Sequence, residues 1–228
     1  MTRTLAAALA AVALAAGPAA AQLRTPLETL RSSAEVLDEF RDLYLKRIPP
    51  ALLTEAEAVA VIPRVVKAGL LIGGRHGHGL VLHRTPGGGW SDPTFIRLTG
   101  ASIGFQAGVE SADVVLVFRS KKDVDRLLDG RRKLTLGADA AVAAGPLGRE
   151  AGAGTDARLR AEIYSYSRSR GLFAGVSLAG AVLASDAEAN QSVARDTRPE
   201  VTRAVADLKT RLAEYAPARP TPSDLPRK

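Results

Sequence analysis

The chain has 228 residues and a formal net charge of +7, with 46% hydrophobic and 4% aromatic residues, 21 glycines and no cysteine. The missing cysteine excludes any disulfide and any lipid attached through a cysteine, so the fold must hold by burial alone. Sparse aromatics with abundant glycine mean that small residues pack much of the interior, and the positive balance suits an acidic partner as well as it suits solubility.

The first stretch, MTRTLAAALAAVALAAGPAAAQ, has a basic start at Arg3, an apolar run from Leu5 to Ala16 and an Ala19-Ala20-Ala21 ending. This is the pattern of a secretory signal peptide cut after Ala21, and the run is too short and Ala-rich to suit a bilayer span. Residues 1–21 are therefore expected to be removed on export to the periplasm or beyond, where nucleic acid is no partner. Residues 22–215 suffice for one domain with one large core.

Thr25-Pro26-Leu27-Glu28 is a capping box with Pro at the first helical position. Leu27, Leu30, Ala34, Leu37, Phe40 and Tyr44 then recur at steps of three and four, which predicts a helix from Pro26 to about Arg47, stopped by Pro49-Pro50. Its polar face is slightly acidic, which favours docking on the protein's own sheet over lying on a membrane.

Short β-like runs come next at Ala58–Ile62, Gly79–His83, Phe95–Leu98, Val114–Phe118 and Ala138–Ala144, separated by Gly- and Pro-rich turns, with a brief helix at Lys121–Leu128. In AEIYSYSRSRGLFAGVSLAGAVL, period-two alternation puts Tyr164 and Tyr166 on one face of a strand and Ile163, Ser165 and Ser167 on the other. The runs Leu172–Val176 and Ser177–Leu183 continue it as Gly-broken strands, and SRSRG makes a hairpin tip with Arg168 and Arg170. Thr197 and Glu200 suggest a second capping box, before a stripe of Val201, Val205, Leu208, Leu212 and Tyr215. Residues 216–228 hold four prolines without an apolar period and read as a disordered tail. The expected fold is α+β: a Gly-rich antiparallel β-sheet or barrel packed by an N-terminal and a C-terminal helix.

Catalytic motifs fail on their surroundings. Gly100-Ala101-Ser102-Ile103-Gly104 fits the nucleophile elbow of a hydrolase, but all three histidines precede Ser102, and the residues after Gly104 read as a strand. His76 and His78 would share a strand face, with His83 on the other, yet no neighbouring acid or cysteine completes a metal set. Gly152-Ala153-Gly154-Thr155-Asp156-Ala157 lacks the crossover helix of a dinucleotide site. No enzyme, metal or cofactor is expected. The remaining chemistry is basic: Arg64 and Lys67, Arg75, Arg131-Arg132-Lys133, Arg149, and Arg168 with Arg170. If turns gather several of these, they form an anion site.

The blocks VAVIPRVVKAGLLIGGRHGHGLVLHR, GGGWSDPTFIRLTGASIGFQAGVE, LTLGADAAVAAGPLGREAGAG and IYSYSRSRGLFAGVSLAGAVL, running from Ala58 to Leu183, resemble the SYLF-domain family in content and order. The resemblance implies a lipid-binding module, with actin binding and bundling in some fungal relatives and phosphoinositide-bearing membranes as targets in eukaryotic ones. Bacterial members look like exported single-domain proteins, for which neither actin nor phosphoinositide is a fitting ligand. The expected function is therefore non-catalytic binding of anionic phospholipid headgroups through Arg64, Lys67, Arg75, Arg168 and Arg170. The rival readings are a structural envelope protein that binds a protein or polymer partner and, third, a hydrolase using Ser102.

Overall fold

A computed structural model describes residues 25–42, 48–145, 161–169, 172–175 and 178–217, with backbone alone at 69–72, 102–108 and 172–175. The expected signal peptide, Arg149, the GAG loop, Arg170 and most of the Pro-rich tail lie outside these residues.

Helix α1 (Pro26–Arg41) begins as its capping box dictates: Thr25 Oγ1 accepts the Glu28 N–H at 3.3 Å, and the Thr25 N–H donates to the Glu28 carboxylate at 3.0 Å. Leu30, Ala34, Leu37 and Phe40 form its buried face. Each such large side chain contributes roughly 1.5–3 kcal/mol by leaving water. The helix closes at Asp42, and the rest of the span expected up to Arg47 lies outside the described residues. A five-residue helix, α2 (Pro50–Thr54), forms where the proline pair reads as a stop. The second proline occupies the first turn, where no N–H is needed.

Strands β1 (Ala58–His83) and β2 (Thr94–Phe118) form one long antiparallel hairpin, paired from Ala58 opposite Phe118 to Val81 opposite Thr94 with register shifts between Ile62 and Val65 and between Gly69 and Leu71. The four short runs read from the sequence are its two ends. Glycines and charges in the middle interrupt the alternation, and the pairing continues through them across two register shifts. At the turn, the Arg84 guanidinium lies 3.9 Å over the Trp90 ring, and the Trp90 Nε1–H donates to the Ala216 carbonyl at 3.0 Å. Ala216 is itself fully buried, so packing extends just past the last helix.

The hairpin is strongly curled. A side chain at Gly77 would meet the Ile62 and Val65 side chains at 2.9 Å, and one at Gly79 would strike the backbone of Val61 and Ile62. Residues some fifteen positions apart in a single strand thus touch, which only glycine permits.

The chain continues through α3 (Lys121–Leu128), β3 (Leu134–Thr135), β4 (Val142–Ala144), β5 (Ile163–Ser169), β6 (Leu172–Gly175) and β7 (Val182–Ser185). The seven strands form one sheet in the order β3-β7-β2-β5-β4, with β1 also on β2 and β6 also on β5. All pairings are antiparallel except β4 with β5. The expected YSYS hairpin is β5–β6. The expected strand Ser177–Leu183 instead holds a turn, with Gly180 at φ +79°, before β7 begins.

Two further helices close the described chain, α4 (Ala187–Ala194) and α5 (Pro199–Tyr215). The capping box expected at Thr197 and Glu200 does not form. Arg198 is the N-cap, without a side-chain cap bond, and its guanidinium pairs with Asp196 at 2.7 Å. Pro199 supplies the helical φ instead.

Alternation along the strands sorts the interior into two layers. Leu80, Leu82, Val115, Val117, Tyr164 and Tyr166 pack under α1, α2 and α5. Ile62, Val81, Val114, Leu116 and Ile163 fill the inside of the curl, closed by Val124 and Leu127 of α3. The fold is α+β, a Gly-rich, mainly antiparallel curled sheet flanked by an N-terminal and a C-terminal helix.

Candidate functional site

The middle of the β1–β2 hairpin carries the basic residues that the sequence singles out. Between Ile62 and Val65 the register slips by one residue, because Ile62 faces Val114 and Val65 faces Ala112. The extra residue makes a bulge, and Arg64 takes φ +50°, a conformation that costs a non-glycine residue about 1 kcal/mol or more. It is held there: the Arg64 N–H donates to Asp113 Oδ1 at 2.9 Å, and its guanidinium donates to Ser32 Oγ of α1 at 3.1 Å.

Past the bulge the ribbon turns apolar residues outward. Val66 is 42% and Val109 72% exposed, the exposed large hydrophobics among the described residues. Val66 faces Ser111 and Val109 faces Ala68, so the two valines share one side of the ribbon, while Lys67 and Glu110 share the other. Lys67 is exposed and has no ion-pair partner among the described residues. The spacing of the sequence does not mark this pair, because both valines lie between the runs that read as strands.

Arg168 stands across from Asp113 in the β2–β5 ladder rather than at a free tip. Its guanidinium pairs with Asp113 at 3.2 Å and with Glu39 of α1, which locks strand, bulge and helix together. Arg64 and Arg168 therefore do converge, but around two carboxylates. Arg75 is eight residues further than Lys67, on the order of 26 Å along extended chain. It faces Gly100, and its buried Nε has no hydrogen-bond partner. Arg131, Arg132 and Lys133 are exposed beyond α3. Of the five expected headgroup residues, the structure joins Arg64 and Lys67 in one exposed stretch, ties Arg168 to acids, sets Arg75 apart and leaves Arg170 undescribed.

Ser102 lies within strand β2, opposite Gly73, and not on the strand-to-helix turn of a nucleophile elbow. His76 and His78 do share a strand face, with their Nε2 atoms 3.0 Å apart. Burial, the neighbouring His78 and the Arg97 charge lower the pKa of His76, against a smaller opposing effect of Asp186. Among the described residues no helix is long and apolar enough to cross a membrane, a statement that does not bear on strands.

Residues 99–202 match the Ysc84 family model, described as "Las17-binding protein actin regulator". The SH3 domain-containing YSC84-like protein 1 of Xenopus laevis is 40% identical over 166 residues, which is 71% of this chain and 49% of that protein. The SH3 domain-containing protein PJ696.02 of Schizosaccharomyces pombe is 44% identical over 150 residues, 65% of this chain and 34% of its own. Protein YSC84 of Saccharomyces cerevisiae is 41% identical over 146 residues, 63% of this chain and 31% of its own. The chain thus spans half or less of the length of these relatives. No solved structure matches it. The blocks of sequence between Ala58 and Leu183 and these matches agree: the chain belongs to the SYLF-domain, or Ysc84, family.

Proposed function

We propose that the protein is a non-catalytic binding module of the bacterial envelope, exported by cleavage after Ala21, that docks on anionic phospholipid through the middle of its β1–β2 hairpin. One observation carries this reading. Val66 and Val109 expose apolar side chains on the ribbon that also holds the exposed Arg64 and Lys67. With the valines on one side of the ribbon and Lys67 on the other, the ribbon enters the interfacial region of a bilayer by its edge, and Lys67 and Arg64 meet the negative surface, each Lys or Arg contributing about 1 kcal/mol. The position of Arg168 within an ion-pair cluster shifts the proposed contact from the β5–β6 hairpin to Arg64, Lys67 and the two valines.

The test is co-sedimentation with vesicles containing phosphatidylglycerol, against vesicles of phosphatidylcholine alone. Wild-type binding to the anionic vesicles should fall as salt rises. Lys67→Ala with Val109→Ser should weaken it about tenfold or more without moving the melting point, because both side chains are exposed. Equal binding by this variant defeats the proposed surface.

A second reading has its own support, the family description that names a Las17-binding protein. On that reading the same part of the hairpin binds a protein or polymer partner, and neither vesicle type sediments the protein.

A further inference from the structure

The His76–His78 pair sits outside the proposed lipid contact, and nothing in that reading uses it. Both rings leave the face of β1 that continues into Leu80 and Leu82 beneath the helices. The rings are nearly perpendicular, at 81°, with their Nε2 atoms 3.0 Å apart. Behind His78 stands Asp186, whose Oδ2 lies 3.4 Å from His78 Nδ1. That carboxylate favours the proton on Nδ1 and so leaves His78 Nε2 as the acceptor of the His76 Nε2–H hydrogen bond, a lone pair that a metal ion can take in its place.

Asp186 is itself immobilised. Its Oδ1 caps α4 by accepting the Ala189 N–H at 3.3 Å, its backbone N–H donates to the Phe95 carbonyl at 2.9 Å, and Arg97 Nε lies 3.6 Å from Oδ2. A carboxylate that orients an imidazole through its far nitrogen is the usual outer partner of a metal-binding histidine. A cavity of about 230 Å³ opens on the Asp186 side of His78, lined also by Thr25, Glu188 and Ser192.

We propose that His76 Nε2 and His78 Nε2 chelate one divalent d-block cation of tetragonal preference, copper(II) above nickel(II), with Asp186 as the positioning residue behind His78. Imidazole donors suit this class, and the spacing is compatible with it. Two metal–nitrogen bonds of roughly 2.0 Å to nitrogens at this separation enclose an angle of roughly 95°. That is close to the right angle between neighbours in a tetragonal ion and narrower than the roughly 109° of tetrahedral zinc. Binding moves the His76 proton from Nε2 to Nδ1, so both lone pairs face the ion and no net proton is lost. Among the described residues no set of three His, Cys, Asp or Glu side chains converges to hold a metal, so water completes the coordination. Such a two-nitrogen site is weaker than a closed one.

The experiment is titration of copper(II) chloride into the full chain after treatment with a chelator, followed by calorimetry and electron paramagnetic resonance. One equivalent should bind, with a tetragonal spectrum showing nitrogen splitting from two imidazoles. His76→Ala and His78→Ala should each weaken binding at least tenfold. Asp186→Asn, which keeps an oxygen for the Ala189 N–H, should weaken it about tenfold or more. His83→Ala, at the third histidine and on the other strand face, should bind as wild type. If a histidine variant does not fold, the wild-type spectrum decides alone, since it reads the ligands directly. A spectrum without two imidazole nitrogens, or undiminished binding when both His76 and His78 are replaced, overturns the proposal.

Discussion

Arg168 and Asp113 face each other on neighbouring strands, and their side chains close to 3.2 Å. The other oxygen of Asp113 accepts the Arg64 N–H at the bulge, while the Arg168 guanidinium also reaches Glu39 on α1. Three parts of the chain meet at this pair. Arg168→Ala leaves two half-buried carboxylates beside each other and should cost about 1–3 kcal/mol. Arg131→Ala, at an exposed position, should stay within about 0.5 kcal/mol. Urea unfolding of both variants makes the comparison, and an unmoved midpoint for Arg168→Ala would show that the cluster contributes nothing.

The curl of β1 depends on a missing side chain. Gly79→Ala places a methyl group against the backbone of Val61 and Ile62, which cannot rotate away. A loss of about 2 kcal/mol or more is expected. Gly74→Ala serves as the control, because a Cβ there meets nothing within 4 Å and removes a flexible residue from a strand. Thermal melting should separate the two widely; if both melt together, the close approach is relieved at little cost.

Leu37 is 1% exposed, on the face that α1 turns to the sheet. Leu37→Ala should destabilise by about 2–5 kcal/mol. An unchanged melting point with weakened vesicle binding would instead make that stripe a membrane contact.

Burial, and secondarily the charge of Lys121, lower the pKa of His83 from its ordinary 6.5, against a smaller effect of Asp125. The folded state therefore favours the neutral ring. The stability contributed is complete above the ordinary value and is lost as pH falls through it toward the lowered one. Denaturant unfolding at about pH 7.5 and 5.5 should show a smaller acid loss for His83→Gln than for wild type. Equal losses would mean that His83 titrates alike folded and unfolded.

Much of the architecture is legible in residue order because local chemistry determines it. Thr25 and Glu28 cap α1 as their spacing requires, and Tyr164 and Tyr166 point to one layer while Ile163 points to the other. What escapes is settled by distant partners. The span from Pro63 to His78 carries glycines and charges that spoil alternation, yet Ile62 and Gly77 come together across the curl and keep it a strand. Thr197 looks like a cap, but Arg198 finds Asp196 and helix α5 starts at Pro199. At the candidate surface, the basic residues are visible in sequence while their partners are not. Arg168 looks free until Glu39, 129 positions earlier in the numbering, is seen beside it. Val66 and Val109 lie between the runs that read as strands, and only the folded ribbon shows them exposed among the described residues.

Trp90 is the sole tryptophan of the chain, and its indole N–H is bonded to Ala216, just past the end of α5. The ring is 6% exposed beneath the Arg84 guanidinium, in the core layer shared with Leu208 and Leu212. Excited beyond the absorption of its four tyrosines, the protein therefore emits from a single indole placed where the last helix meets the turn of the first hairpin. Lifting α5 uncovers that indole to water and shifts its emission to the red, so a fluorometer, without any attached dye, follows the seating of the C-terminal helix.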